Sequence, residues 1–350
     1  MKTVIILFGG KSSEYEVSLS SASAAYANID KTKYDVRLVG ITREGRFFLY
    51  EGDPEMIAAD KWTGGEKYPV SLDLSRGVLT FEKNRRREDL FADAILPMIH
   101  GKNCEDGTLQ GMFKVAGIPV VGCDCQSSAV CMDKVVAKSI VAANSDIHLA
   151  KMIVVKDSDV TDGNSVDRIR KECEKSLGYP MFVKPSRAGS SVGVTKVTSA
   201  EMFGQALMTA LFEDDKVLIE EAIVGKEIEV AVMEENGKYT VGGPAEIECG
   251  SEFYDYEAKY ISDVSSFYLP ARISEEKQSE VRRDAVTVFR SLDCKGFARV
   301  DFFCTADGEL IFSEINTLPG FTPISMFPKM MISEGISYAE LLDRLVGTVL

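Results

Sequence analysis

The chain has 350 residues, 45% of them apolar and 27% charged, with a formal charge of −14. The composition is globular, and the length exceeds what one ordinary core organises, so two or three packed units are expected. Such acidity speaks against sequence-independent binding of DNA or RNA, which rests on lysine and arginine against phosphates. It does not exclude a single nucleotide held by a few converging basic side chains.

The N-terminal stretch Met1–Gly10 carries an apolar run of only five residues, too short for a signal-peptide core or a membrane span. No later segment approaches the roughly 18 uninterrupted apolar residues of a spanning helix. The eight cysteines are scattered, with no CxxC pair and no histidine at zinc spacing, so reduced structural thiols are expected. A soluble, cytoplasmic protein without a membrane or nucleic-acid partner is the expectation.

In chain order, a short apolar strand runs into Gly9-Gly10, and a helical stretch follows around 17–29. Strands are expected at 35–41, 94–99 and 118–121, and their alternation with helical patterns suggests a parallel α/β unit over 1–122. From 123 to 220 the pattern gives a helix near 133–143 and strands near 150–155, 181–184 and 216–220. From 221 to 350 there are long strands, an aromatic loop and a last helix. That helix opens with the capping box Ser337-x-x-Glu340 before Leu341, Leu342, Leu345 and Val346.

The richest stretch is 297–316. Asp307-Gly308 is a two-residue hairpin signal between two apolar runs. With that turn Ala306 faces Glu309, Phe303 faces Phe312, Asp301 faces Glu314 and Arg299 faces Asn316. The last three pairs share one face. Opposed carboxylates with Cβ atoms about 4.5–5.5 Å apart destabilise a sheet unless something positive lies between them. Arg299 supplies part of that charge. A divalent ion held by Asp301, Glu314 and the Asn316 carbonyl supplies more, through oxygen ligands that suit Mg²⁺. The bland alternative, an edge hairpin with a solvated charged face, sits poorly with the paired phenylalanines.

Lys184-Pro-Ser-Arg-Ala-Gly-Ser-Ser-Val-Gly193 follows an apolar strand. It is neither GxxxxGK[ST] nor GxGxxG. Two glycines flanking two serines can still turn backbone N–H groups and hydroxyls toward an anion, and Lys184 can meet a phosphate as a point charge. An ordinary serine-rich turn is the competing reading. Lys134 reads by itself as a surface helix lysine, and the run from Glu220 to Glu227 as a charged loop that could also accept hydrogen bonds from adenine and ribose.

Six segments in order resemble the D-alanine–D-alanine ligase family over nearly the whole chain. They are Gly9-Gly10-Lys-Ser-Ser-Glu14-Tyr-Glu-Val-Ser, His100-Gly-Lys-Asn-Cys-Glu105-Asp-Gly, Met132-Asp133-Lys134, the Lys184–Gly193 loop, Phe253-Tyr-Asp-Tyr-Glu-Ala-Lys-Tyr260, and Glu314-Ile-Asn-Thr-Leu-Pro-Gly-Phe-Thr. The resemblance implies an ATP-grasp fold: an N-terminal α/β domain (1–122), then two α+β units (123–220 and 221–350) that clasp ATP. It implies that Lys134 and Lys184 hold ATP phosphates, that Glu220 and Ile223 touch adenine, and that Glu227 touches the ribose. Asp301, Glu314 and Asn316 match the family's metal ligands for Mg²⁺, usually two ions, with Mn²⁺ as a substitute. In the implied reaction one D-alanine carboxylate attacks the γ-phosphate of ATP, and the amine of a second D-alanine attacks the resulting acyl phosphate. The product is a peptidoglycan precursor. Arg299 and the Gly320 N–H match oxyanion donors, and Glu14 matches the group that binds the first ammonium. Ser190, Tyr260 and Glu14 would form a hydrogen-bonded set, with His100 near the first substrate. Lys259 would reach the transferred phosphoryl group from a mobile lid. A homodimer is the family's usual state.

The residue after Ser325 bears on the second substrate. Met326 offers an apolar wall suited to a D-alanine methyl, where relatives using D-serine or D-lactate commonly carry arginine. The Glu14-Tyr-Glu start and the Arg187-Ala-Gly-Ser-Ser segment also resemble the D-serine branch, so D-alanyl-D-serine formation stays as the alternative. Another ATP-grasp carboxylate–amine ligase and a non-catalytic ATP-binding protein are the remaining rivals. Cys104 stands where the family has glycine, which adds a thiol of possible reactivity, and His148 is expected to be structural.

Overall fold

The structure, a computed structural model, describes residues 1–248 and 266–350. The first sheet contains β1 (Lys2–Gly9), β2 (Tyr34–Ile41), β3 (Phe47–Tyr50), β4 (Lys67–Asp73), β5 (Val78–Lys83), β6 (Arg86–Leu90) and β7 (Ala94–Pro97), in the order β6-β5-β4-β3-β2-β1-β7. Only β2, β1 and β7 are parallel. Val4–Phe8 of β1 are fully buried, as a continuous apolar run between two parallel neighbours requires. The rest, β2 to β6, is an antiparallel meander, so the sheet is mixed rather than purely parallel. Its last hairpin turns through Asn84 and Arg85, both left-handed, between Lys83 and Arg86. The stretch expected as a strand at 118–121 makes only a single parallel bridge, Ile95 to Val120.

Helices α1 (Tyr15–Asn28) and α2 (Glu55–Ala58) belong to this unit, and α3 (Thr108–Val115), α4 (Cys125–Met132) and α5 (Lys134–Asn144) lead out of it. The short strand β8 (His148–Leu149) pairs in parallel with the last strand of the third sheet. The second sheet is antiparallel, β9 (Met152–Lys156), β10 (Met181–Pro185), β11 (Thr195–Val197) and β12 (Lys216–Glu221), in the order β11-β10-β12-β9. Its helices are α6 (Gly163–Ser176) and α7 (Ala200–Glu213), and Phe203, Leu207, Val183 and Ile219 make its own core.

The third sheet holds β13 (Gly225–Glu235), β14 (Lys238–Glu248), β15 (Ser266–Tyr268), β16 (Phe297–Thr305) and β17 (Leu310–Asn316), in the order β15-β14-β13-β16-β17-β8. Helix α8 (Glu275–Ser291) buries Val281, Ala285, Val288 and Phe289 in the same core as Phe302 and Phe312. Helices α9 (Met326–Ser333) and α10 (Tyr338–Gly347) turn the other way. Their Phe327, Leu341, Leu342, Leu345 and Val346 share one core with β1 and β2. Ser337 caps α10 by accepting from the Glu340 N–H at 3.2 Å. Where the first and third sheets meet, a Cβ on Gly296 would lie 2.8 Å from Gly122 Cα, so this junction needs glycine.

The β16–β17 hairpin departs from the expected register. Its turn takes three residues, with Thr305 N–H donating to Glu309 O at 3.0 Å and Gly308 left-handed at φ 84°. Phe302 therefore faces Phe312, and Phe303 faces Ile311. An irregularity between Asp301 and Phe302 then absorbs Ser313, and Asp301 returns opposite Glu314 with Arg299 opposite Asn316. Phe302 and Phe312 meet edge-to-face at 5.9 Å inside the core, so Phe312 does not share the face of Asp301 as expected.

Candidate active site

Two adjoining cavities, about 1000 and 1740 Å³ out to their mouths, lie where loops of the first two sheets meet one face of the third. Lys134, Ser190, Glu229, Arg299 and Glu314 line both, so they form one continuous cleft.

The floor is the third sheet. Pairing sets Glu229 opposite Asp301 and Asp301 opposite Glu314, which lays three carboxylates abreast across three strands. Like charges so opposed need compensation. Arg299, two residues from Asp301 on the same face, donates Nε to Oδ1 at 2.8 Å and Nη2 to Oδ2 at 2.7 Å. Its Nε also lies 3.2 Å from Glu229 Oε1. Lys134 Nζ lies 3.2 Å from Glu314 Oε2 and donates to Ala188 O at 2.8 Å. Asn316 Oδ1 accepts from the Leu318 N–H at 3.0 Å. Among the described residues no three His, Cys, Asp or Glu side chains converge on one point. The donor chemistry nonetheless fits a hard divalent cation: two opposed carboxylates and an asparagine, all oxygen, open on a cleft lined by lysines.

Helix α5 carries Lys134 into the cleft. Asp133 caps it, accepting from Val136 N–H at 3.2 Å, and also accepts from Ser186 Oγ at 2.7 Å and pairs with Lys216. The helix start is thereby tied to the end of β10, where Lys184 sits. Beyond it, Ser190 (φ 49°) and Ser191 (φ 58°) are both left-handed, a strain of about 1–2 kcal/mol per residue. A Cβ on Gly193 would meet Pro185 Cγ at 2.8 Å.

On the larger cavity's side, Glu220 lies near the end of β12, the strand expected at 216–220, and is 3% exposed. Lys138 Nζ is 2.6 Å from its Oε1, and Lys184 pairs with its Oε2. Burial opposes ionisation, yet the two ammonium groups hold the Glu220 carboxyl down to about 2. Ile223 and Glu227 line the same cavity, with Glu227 opposite Phe303.

On the smaller side, Ser190 Oγ donates to Glu14 Oε1 at 2.6 Å, two members of the expected triad. Tyr260 and Lys259 lie outside the described residues. Glu14 sits at the start of α1, after Gly9, where a Cβ would fall 2.1 Å from Ile41 O. Glu105 lines the same cavity, where burial first and then the charge of Glu14 push its carboxyl up to about 8. His100 is buried behind this wall. Its Nδ1 meets Leu318 O at 2.9 Å, and a carbonyl only accepts, so Nδ1 carries the proton. Nε2 meets Ser21 Oγ at 3.0 Å, and that hydroxyl already accepts the Phe321 N–H, leaving its own proton to donate. The neutral ring is thus satisfied, and burial lowers its pKa. Ser325 and Met326 line the wall; a Cβ on Gly320 would lie 2.6 Å from Ser325 Oγ. Cys104 is fully buried with its thiol pushed well up by burial, which corrects the expectation of possible reactivity. The seven described cysteines are all free. His148 is exposed and pairs with Glu309 at the sheet edge.

Sequence reading overlooked Lys138, Glu229 and the role of Glu105. Glu229 had a signal, since Glu227 and Glu229 alternate within an apolar strand.

Family models match both parts of the chain: D-ala D-ala ligase N-terminus over residues 3–123 and D-ala D-ala ligase C-terminus over 141–347. The chain belongs to the D-alanine–D-alanine ligase family. It is 43% identical to the D-alanine–D-alanine ligase of Thermoanaerobacter sp. (strain X514), over 99% of this chain and 96% of that one. It is also 43% identical to that of Clostridium novyi, over 99% and 97%. Among solved structures, the VanG D-Ala:D-Ser ligase from Enterococcus faecalis superposes with a TM-score of 0.90 at 41% identity, covering 100% and 99%. The D-alanine-D-alanine ligase from Coxiella burnetii gives 0.85 at 31%, covering 99% and 93%. As a member of the D-alanine–D-alanine ligase family the chain is an ATP-dependent ligase of the ATP-grasp fold, and the family uses a divalent metal. Among the described residues no helix is long and apolar enough to cross a membrane.

Proposed function

We propose that the chain joins the carboxylate of one D-alanine to the amine of a second, with ATP converting the carboxylate into an acyl phosphate. The observation that carries this is the continuity of the two cavities across Lys134, Ser190, Arg299 and Glu314, which lets a phosphoryl group held on one side meet a carboxylate held on the other. The larger cavity takes the nucleotide, with Glu220 and Ile223 at adenine, Glu227 at ribose, and Lys134 and Lys184 at the phosphates. Asp301, Glu314 and Asn316 would hold Mg²⁺ (two ions, replaceable by Mn²⁺), which supplies charge to the transferring phosphoryl group. Glu14, oriented by Ser190, takes the ammonium of the first D-alanine. Arg299 and the Gly320 N–H face the oxyanion that grows when the second amine attacks. For Tyr260 and Lys259, outside the described residues, the roles stay those that the family resemblance implies. The units 1–122, 123–220 and 221–350 then supply the first-substrate wall, the phosphate loop and the sheet floor. A cytoplasmic homodimer completes the proposal.

The second reading is D-alanyl-D-serine formation, favoured by the likeness to the Enterococcus faecalis enzyme. Met326, 7% exposed and part of the smaller cavity's lining, favours the D-alanine methyl. Phosphate release from Mg-ATP, with D-alanine alone and with D-serine added, separates them. D-alanyl-D-alanine from D-alanine alone is expected; release only with added D-serine moves the assignment to the second reading.

A further inference from the structure

Lys138 has no part in the scheme above, yet among the described residues it is the most completely buried lysine near the cleft. It projects from the middle of α5, is 2% exposed, and meets Glu220 and Phe312. Its Nζ is 2.6 Å from Glu220 Oε1, donates to Phe312 O at 3.3 Å, and stands 5.9 Å from the centre of the Phe312 ring. The other oxygen of Glu220 is taken by Lys184. One buried carboxylate is therefore shared by two ammonium groups, one deep and almost sealed, the other 19% exposed on the cavity side. A buried ion pair needs no third charge for its own sake, and a second buried ammonium is costly to desolvate. The surplus cation has a use if the outer lysine has to leave. If Lys184 turned to a phosphate with Glu220 otherwise alone, an uncompensated carboxylate would remain in the interior, and that penalty would hold Lys184 in place.

We propose that Lys138 is the resident counter-ion of Glu220, a positioning residue that releases Lys184 from that carboxylate to meet the phosphates of an incoming nucleotide. The inference rests on the reading of Lys184 as a phosphate ligand. Lys138 also donates to the carbonyl of Phe312, so the deep pair keeps its place while the outer lysine exchanges partners. The loss expected on removing Lys138 falls on phosphate binding, not on the adenosine part of the ligand.

The test is calorimetric binding of Mg-ATP and of adenosine to the full chain, with melting curves to establish that each variant folds. Lys138→Met should weaken Mg-ATP binding tenfold or more, about 1.4 kcal/mol, and leave adenosine binding within about twofold, a spread of under half that energy. Lys138→Met combined with Glu220→Gln removes the buried charge that traps Lys184. It should bind Mg-ATP as tightly as Glu220→Gln alone, and it remains a fair test even where the single variant fails to fold. Wild-type Mg-ATP affinity in Lys138→Met, or a double variant weaker than Glu220→Gln alone by tenfold, overturns the proposal. Lys184→Met serves as the control for the underlying reading: unchanged Mg-ATP affinity there removes Lys184 from the phosphates, whereas a loss there with none in Lys138→Met refutes the counter-ion role only.

Discussion

At the scale of single residues, the smaller cavity sets two apolar and ionic choices side by side. Met326 presents a thioether chain where a positive group would recruit a hydroxylated partner. Met326→Arg is expected to lower the ratio of D-alanyl-D-alanine to D-alanyl-D-serine in an equimolar competition by about 10–200-fold, the range that one pocket contact commands. An unchanged product ratio by mass spectrometry would remove Met326 from the second subsite. Glu105 makes a different prediction. Its carboxyl keeps a proton in the fold up to about 8, because burial and then Glu14 disfavour its charge, against 4.5 for an ordinary glutamate. The folded state binds the extra proton between those values. The stability contributed by this group is therefore complete below about pH 4.5 and lost as pH rises through about 8. Glu105→Gln imitates the neutral acid, so its melting temperature relative to wild type should climb from pH 5 to pH 9. Parallel melting curves across that range would refute the raised carboxyl.

At the scale of elements, the site depends on tight turns more than on long helices. Gly101 is left-handed at φ 76°, and a Cβ there would stand 2.5 Å from Ser12 Oγ and 2.6 Å from Glu14 Oε2. Both neighbours are side-chain tips that can swing, so Gly101→Ala should cost little more than the backbone penalty of about 1–2 kcal/mol. The swing breaks the Ser190–Glu14 hydrogen bond, and KM for the first D-alanine should rise at least tenfold. A variant with unchanged KM and only lowered stability would mean that Glu14 does not bind that substrate. The β16–β17 hairpin gives the complementary lesson. Asp307-Gly308 did mark a turn, but the turn took a third residue, and the irregularity at Ser313 restored the Asp301–Glu314 pairing. The opposed carboxylates were legible because alternation is a local rule; the compensating bulge was not, because it arises from packing Phe312 against Phe302.

At the scale of the whole molecule, the cores do not follow the chain order. The last two helices share a core with the first strand, while the second sheet keeps a core of its own. Residues 150–221 are therefore expected to open as a separate unit, with amide exchange protection lower than that of β1 and α10. Leu342→Ala, at a fully buried site in the shared core, should lower stability by about 2–5 kcal/mol and reduce protection in β1 and α10 together. Equal protection of all three sheets in hydrogen exchange would contradict this division.

Much of the protein is decided by sequence alone. The apolar run 4–8, the glycine pair after it, the cap at Ser337 and the alternation that faces Asp301 to Glu314 all follow from rules acting over a few residues. The six ordered motifs also carried the family. Tertiary structure decided the rest. Glu220 could be placed at the end of a strand from sequence, but not its burial between two lysines, one from α5 and one from β10. Lys138 carries no motif and gains its meaning only where a helix and a strand cross. The row Glu229–Asp301–Glu314 needs three strands, two of which are separated by more than sixty residues, to be laid side by side. Local sequence sets which way a side chain points along its own strand; which charges then face each other across the cleft is set by chain crossings that no local pattern encodes.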